Sequence, residues 1–217
     1  MRIFSRSLFW LKWVGLAGLA LFALLPGFSQ TAAVQLPKPE ITSGAPLMHA
    51  LARRQTTRAF ADKPLPLQTL SNLLWAAFGV NRSRDLKTGL GRTAPSAMNR
   101  QEVELYVVRA EGVSVYDAEA NTLRPVESAD VRAKVSPDAA GHAAVTIFFV
   151  ADSKNGAAEV DTGFIGQNIY LFAASEGLNA WFYALHGQQD AAGVAAVLKL
   201  PVGKRALYGQ SVGFAPK

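Results

Sequence analysis

Six consecutive residues, 145–150 (VTIFFV), carry one hydroxyl and otherwise only apolar side chains, and they limit what this chain can become more than any other stretch. A short continuous apolar run of this kind fits a fully buried central strand, which needs a covered face on either side. The segments around it supply both strands and helices. Leu67, Leu70, Leu73, Leu74, Ala77 and Phe78 recur at spacings of three and four, with Pro66 before and Gly79 after, and predict an amphipathic helix over 67–78. Residues 103–109 (VELYVVR) alternate as a strand, and 113–117 with 122–126 flank 118–121 as a hairpin. A helical period runs over 161–176 through Phe164, Ile165, Ile169 and Phe172, and Gly177 takes the C′ position. Residues 179–185 read as a strand, 190–198 as a helix and 206–214 as a last strand. Residues 81–94, rich in arginine with two glycines and no apolar period, read as a surface loop. The mixed order of paired strands and long helices gives an α+β fold without internal repeats or a second domain.

With 217 residues, half of them apolar and 18 % charged, the chain has enough material for one domain with a real core. Its formal charge of +6 is misleading. Three of the 22 bases, Arg2, Arg6 and Lys12, precede position 34, where there is no acid. The remaining 19 face 16 acids, a charge of +3, too mild and too evenly spread for a nucleic-acid groove. Zero cysteines exclude disulfides, thiolate metal sites, iron–sulfur clusters, a cysteine nucleophile and a lipoprotein anchor. His49, His142 and His186 are too far apart in the chain to form a local ligand pair, so no metal is expected.

The first 33 residues read as an export segment. A basic n-region is followed by twelve apolar residues, 14–25 (VGLAGLALFALL), closed by Pro26-Gly27, which suits a signal peptide cut after Ser29 or, preferably, Ala33. Adding residues 8–11 lengthens the run to about 18 and gives the competing reading, an uncleaved membrane anchor. Residues 5–12 are similar to a twin-arginine signal lacking its second arginine. Either route predicts a mature domain in the periplasm or on the outer surface. Residues 34–50, whose first fourteen hold three prolines and a glycine, are expected to be a linker or extended arm before a domain over 51–217.

Three local patterns carry chemistry. Arg53-Arg54-Gln55-Thr56-Thr57-Arg58 packs three guanidinium groups and two hydroxyls into six residues, a set suited to bidentate phosphate binding. Phe60 follows and is expected to bury, pinning the cluster to the core ahead of a helix. In Pro95-Ser96-Ala97-Met98-Asn99-Arg100-Gln101, a proline–serine turn offers backbone groups and a hydroxyl to a planar ring, and Asn99 offers both donor and acceptor; the same residues also make an ordinary turn. Glu176-Gly177 closes a helix before a strand.

Taken in this order, the segments resemble the flavin-dependent nitroreductase family, over roughly 51–214. The resemblance implies a mixed, mainly antiparallel sheet flanked by helices, and FMN at the interface of a homodimer. Arg54 and Arg58 would hold the phosphate and ribityl region, and Gln55 and Thr56 would reach the pyrimidine edge or ribityl chain. Pro95, Ser96 and Asn99 would face the flavin, and Gly177, beside Glu176, would offer a bare amide to N5. Residues 111–141 are similar only to a subgroup that includes thiazole- and oxazole-forming dehydrogenases. Glu102 stands where the family usually has proline and an aromatic. Many members supply a phosphate cation beyond the last strand; Lys217 could serve here, and if it does not, Arg53 or an arginine of 82–92 is expected to substitute.

The resemblance implies chemistry on flavin N5 and no protein nucleophile: an oxidoreductase passing electrons or hydride in ping-pong order to a small organic acceptor such as a nitro compound or quinone. NAD(P)H is the usual donor, and outside the cytoplasm a membrane quinol or redox protein takes its place. Two other classes compete: a protein that keeps the fold without turnover, with or without flavin, and an exported hydrolase using Ser96 or Ser175 with His142 or His186. The hydrolase lacks an orienting acid and an oxyanion motif.

Overall fold

The apolar run becomes strand β7 (Val145–Asp152), and its side chains divide between two cores. The computed structural model describes residues 32–85, 89–152, 154, 156–185 and 190–217. Val145, Ile147, Phe149 and Ala151 face α2 (Leu67–Phe78) and α4 (Ala158–Glu176), whereas Phe148 and Val150 face α3 (Arg132–Val135) and α5 (Ala191–Val197). Both faces bury apolar surface, which removes the alternation expected of a one-sided strand. Among the described residues seven strands, all antiparallel to their neighbours, take the order β1-β6-β5-β4-β7-β9-β8, with β1 Val34–Gln35, β4 Glu104–Arg109, β5 Gly112–Asp117, β6 Thr122–Glu127, β8 Asn179–Ala184 and β9 Lys204–Gly213. The expected helices and strands form within a few residues of their sequence bounds, and the α+β architecture holds.

Three expectations need correction. The arginine-rich 81–94 segment is not a loop throughout: β2 (Val80–Asp85) and β3 (Gly89–Arg92) pair as a second, two-stranded sheet. Residues 81–85 are exposed on both faces, so their pairing rests on main-chain bonds and leaves no apolar period to read.

Residues 34–50 are not a free arm. β1 (Val34–Gln35) joins the sheet edge at β6, Leu36 is buried at 2 % exposure, and the Asn121 amide holds the Leu36 and Pro37 carbonyls. The strap then crosses α2, where the Glu40 N–H donates to Asn72 Oδ1, and reaches α4, where the Ala45 N–H donates to Ser175 Oγ at 2.6 Å. Gly44 has φ +92°, and a Cβ there would lie 2.6 Å from Ser175 Oγ, so this approach requires glycine.

Nor do the arginines lead straight into a helix. Arg53 closes α1 (Leu47–Arg53), and α2 begins only at Leu67. Phe60 is half-buried rather than a core anchor. Residues 57–61 are held by their main chain instead: the Thr57 N–H donates to Ala180 O, the Ala61 N–H to Phe214 O, and the Asn179 side chain to Ala59 O. The export segment lies outside the described residues. Among those described, no helix is long and apolar enough to cross a membrane.

Candidate functional site

The first pattern borders a cleft of about 470 Å³ between the end of α1, the last turns of α4 and the start of β8, lined by Arg53, Gln55, Thr57, Tyr170, Gly177 and Asn179 among others. Two aromatic faces carry its cations. The Arg54 guanidinium lies 5.5 Å from the Tyr170 ring centroid, and that of Arg58 lies 5.2 Å from Trp181. Stacking of this kind is worth about 0.5–1 kcal/mol at an exposed site and leaves the edge N–H donors directed outward. No described carboxylate pairs with Arg53, Arg54 or Arg58. By contrast, Arg84, Arg109, Arg124, Arg132, Lys199, Lys204 and Arg205 all have acidic partners. Cations concentrated on one segment without internal counter-ions fit an external anion, and two forked guanidiniums fit a phosphate.

Tyr170 orders this cluster. Its hydroxyl lies 3.0 Å from Thr56 Oγ1 and accepts the Phe182 N–H at 2.8 Å. Thr57 Oγ1 accepts the Ala180 N–H at 3.0 Å, so adjacent threonines tie the segment to α4 and β8. Sequence reasoning missed Tyr170 because a tyrosine inside a helical period reads as core; only its polar tip, which needs a partner once half-buried, was a signal.

At the end of α4, Gly177 has φ +68°, and both its N–H and that of Leu178 donate to Ala173 O. This left-handed closure of the helix means that the expected bare amide is already engaged, and a ligand atom there would have to share it. Glu176 lines a different cavity, about 420 Å³ beneath the strap.

Pro95, Ser96 and Asn99 stand elsewhere, beside a cavity of about 680 Å³ shared with Arg82, Asp85 and Met98. Their turn is internally bonded. Ser96 Oγ accepts the Gln101 N–H at 3.0 Å, the Asn99 amide donates to Leu90 O, and the Gln101 amide donates to Asn99 Oδ1 at 2.8 Å. Buried Asp161, in the first turn of α4, accepts the Ala97 N–H. Met98, Asn99 and Gln101 all have positive φ, from +51° to +56°, and strain of about 1–3 kcal/mol at such residues persists only where surrounding bonds enforce it. Arg92 is used by this turn: it donates to Gln101 Oε1 at 2.7 Å and to Phe78 O, and burial pulls its pKa below the ordinary value. Burial also pushes the neighbouring Tyr116 phenol up to about 12. Of the cations expected to add a phosphate contact, Arg53 is the one that lines the cleft.

The two clusters lie at opposite ends of α4. Asp161 and Gly177 are sixteen residues apart, about 24 Å along a helix. One small ligand cannot touch both within a single chain. The hydrolase reading gains nothing, since Ser96 and Ser175 accept main-chain N–H groups, His142 faces Asp62, and His186 lies outside the described residues.

Comparison with known proteins agrees with the fold. The model of the nitroreductase family matches residues 51–214, and the chain belongs to that family. A protein of Methanocaldococcus jannaschii that carries a nitroreductase name is 28 % identical over 169 residues, 68 % of this chain and 81 % of that protein. A crystal structure from Ralstonia eutropha, also bearing a nitroreductase name, is 34 % identical, covering 87 % of this chain and 92 % of its own with a TM-score of 0.77. An FMN-dependent nitroreductase of Clostridium difficile shares the fold at 19 % identity, covering 78 % and 88 % of the two chains with a TM-score of 0.55. The chain is thus an oxidoreductase of a flavin-using family.

Proposed function

We propose that the chain is an exported FMN-dependent oxidoreductase that works as a homodimer. The observation that carries this reading is the set Arg53, Arg54 and Arg58, three guanidiniums within six residues that have no carboxylate partner among the described residues, with Arg53 lining the cleft. Arg54 and Arg58, with Arg53, would hold the phosphate, and Gln55 and Thr56 would serve the ribityl chain or pyrimidine edge. When bound, FMN supplies electron or hydride transfer at N5, alternately with a reduced donor and a small organic acceptor such as a nitro compound or quinone. The protein's share is to bind, orient and exclude water.

The separation along α4 supports a second copy. Two α4 helices packed antiparallel about a two-fold axis bring the 95–99 turn of one protomer to the cleft of its partner. The outer face of α4 supports such a pairing: Val160 is 61 % and Phe164 46 % exposed, and Leu47, Met48 and Leu51 of neighbouring α1 are exposed too. The basic and apolar residues before position 34 support export, and an exported enzyme would draw on a membrane quinol or redox protein in place of NAD(P)H.

An absorbance spectrum of the purified domain tests the reading. Oxidised-flavin bands are expected, and they should be lost in the Arg54→Ala/Arg58→Ala double variant. A colourless protein that retains no FMN after reconstitution would overturn it and select a fold kept without turnover.

A further inference from the structure

Tyr170 stands in α4 with its hydroxyl at the meeting of three elements. The Phe182 N–H of β8 donates to Tyr170 Oη at 2.8 Å, Thr56 Oγ1 lies 3.0 Å away on the segment after α1, and the ring supports Arg54. A main-chain N–H can only donate, so it takes one lone pair of the phenol oxygen and fixes that side as acceptor. The phenol has a single proton. Among the described residues the acceptor within its reach is Thr56 Oγ1; either oxygen of that pair could be the donor, and the phenol has no other described acceptor for its proton. With the phenol donating, the Thr56 proton is left for another group, and exposed Thr56 makes no other side-chain hydrogen bond among the described residues.

In that sense the bonds run from the Phe182 amide through Tyr170 to Thr56 and outward, and each bond polarises the next. The Thr56 proton is then free to meet a ligand acceptor. Thr57, next in sequence, is tied to β8: its oxygen accepts the Ala180 N–H. The guanidiniums beside Thr56, which have no carboxylate partner among the described residues, further favour oxygen that carries negative charge.

The geometry points to Tyr170 as a positioning residue that holds Thr56 as a hydroxyl donor to an acceptor oxygen of the bound flavin. This assignment rests on the flavin reading. Tyr170 touches neither flavin nor substrate in this role and acts only through Thr56.

Titration of FMN and of riboflavin onto flavin-depleted protein, followed by fluorescence quenching, tests it in wild type, Tyr170→Phe, Thr56→Val and the double variant. Phenylalanine keeps the ring under Arg54 and removes only the hydroxyl. Each single variant should weaken FMN binding about tenfold, the effect of one hydrogen bond, and the double variant should bind no worse than Thr56→Val. Thr56→Ser should bind as wild type does.

Thermal unfolding separates this from a structural role. Tyr170→Phe strands the Phe182 N–H and should lower Tm in both Thr56 backgrounds, so lost stability alone would weaken FMN binding in both, whereas the positioning role weakens it only where Thr56 is present. A loss confined to FMN places the oxygen on the phosphate, and a loss shared with riboflavin places it on the ring or ribityl chain; both support the assignment. Equal weakening by Tyr170→Phe in the two Thr56 backgrounds, or wild-type affinity in Tyr170→Phe, overturns it alone. A wild type that takes up neither flavin overturns the flavin reading and this assignment together.

Discussion

Single residues at this site answer to two demands, and Gly177 shows how they separate. Its φ of +68° needs a left-handed backbone, yet a Cβ there would meet nothing within 4 Å. Gly177→Ala should therefore cost about 1 kcal/mol through backbone strain alone, which for a domain of this size lowers Tm by about 2–4 °C. Differential scanning calorimetry of the variant checks this, and a loss several times larger would mean that the junction is packed more tightly than its surroundings indicate. The density of charge and hydroxyls over residues 53–58 was legible in the sequence because it is a local property. Tyr170 was not, because its role depends on a contact with a residue 114 positions away. Ser96 and Asn99 were legible as a turn, and their bonds within it match that plain reading; what the turn faces is set by tertiary placement that no local pattern contains.

At the scale of elements, α2 and β7 could be read because burial imposes a period or a run on the residues that undergo it. By contrast, α1 was invisible: only Ala50 of its seven residues is buried, and Leu47, Met48 and Leu51 point away from the chain's own core. The β2–β3 pair is held by its main chain, and the strap by main-chain groups and scattered polar side chains, so neither leaves an apolar pattern. One ion pair links β6 to the end of α5 and gives a pH prediction. The Lys199 ammonium, 2.6 Å from Glu127, together with the Ala129 and Ser128 N–H groups, pulls the Glu127 carboxyl down to about 2 from its ordinary 4.5. A group whose pKa is lower when folded adds stability above its unfolded value and loses it as pH falls. The contribution is therefore complete above about pH 4.5 and gone near pH 2. Glu127→Gln should flatten that part of the stability–pH curve and leave the neutral-to-alkaline part parallel to wild type. An unchanged acid limb in denaturant titrations would show that the pair does not outlast solvent screening.

For the whole molecule, the decisive arrangement is a long helix with one candidate cluster at either end and apolar side chains on both its inner and outer faces. Ile165, Ile169 and Ala173 pack into the chain's own core, whereas Val160 and Phe164 do not. Phe164→Glu should leave the fold intact, since this side chain is nearly half exposed, and should convert a dimer into a monomer with FMN lost in parallel. Light scattering behind a sizing column, with flavin absorbance recorded on the same peak, reads both. A monomer that keeps wild-type flavin occupancy, or a wild type that is already monomeric, would show that one chain suffices.

The segment that carries the arginines also closes the open side of the outermost strand, β8, through Thr57 and Ala59, together with the Tyr170 hydroxyl of α4. An unguarded strand margin is a template for adhesion to other chains. With flavin held as proposed, damage that loosens residues 56–61 would thus release it and turn the protein sticky in a single event, so colour and solubility should fail together.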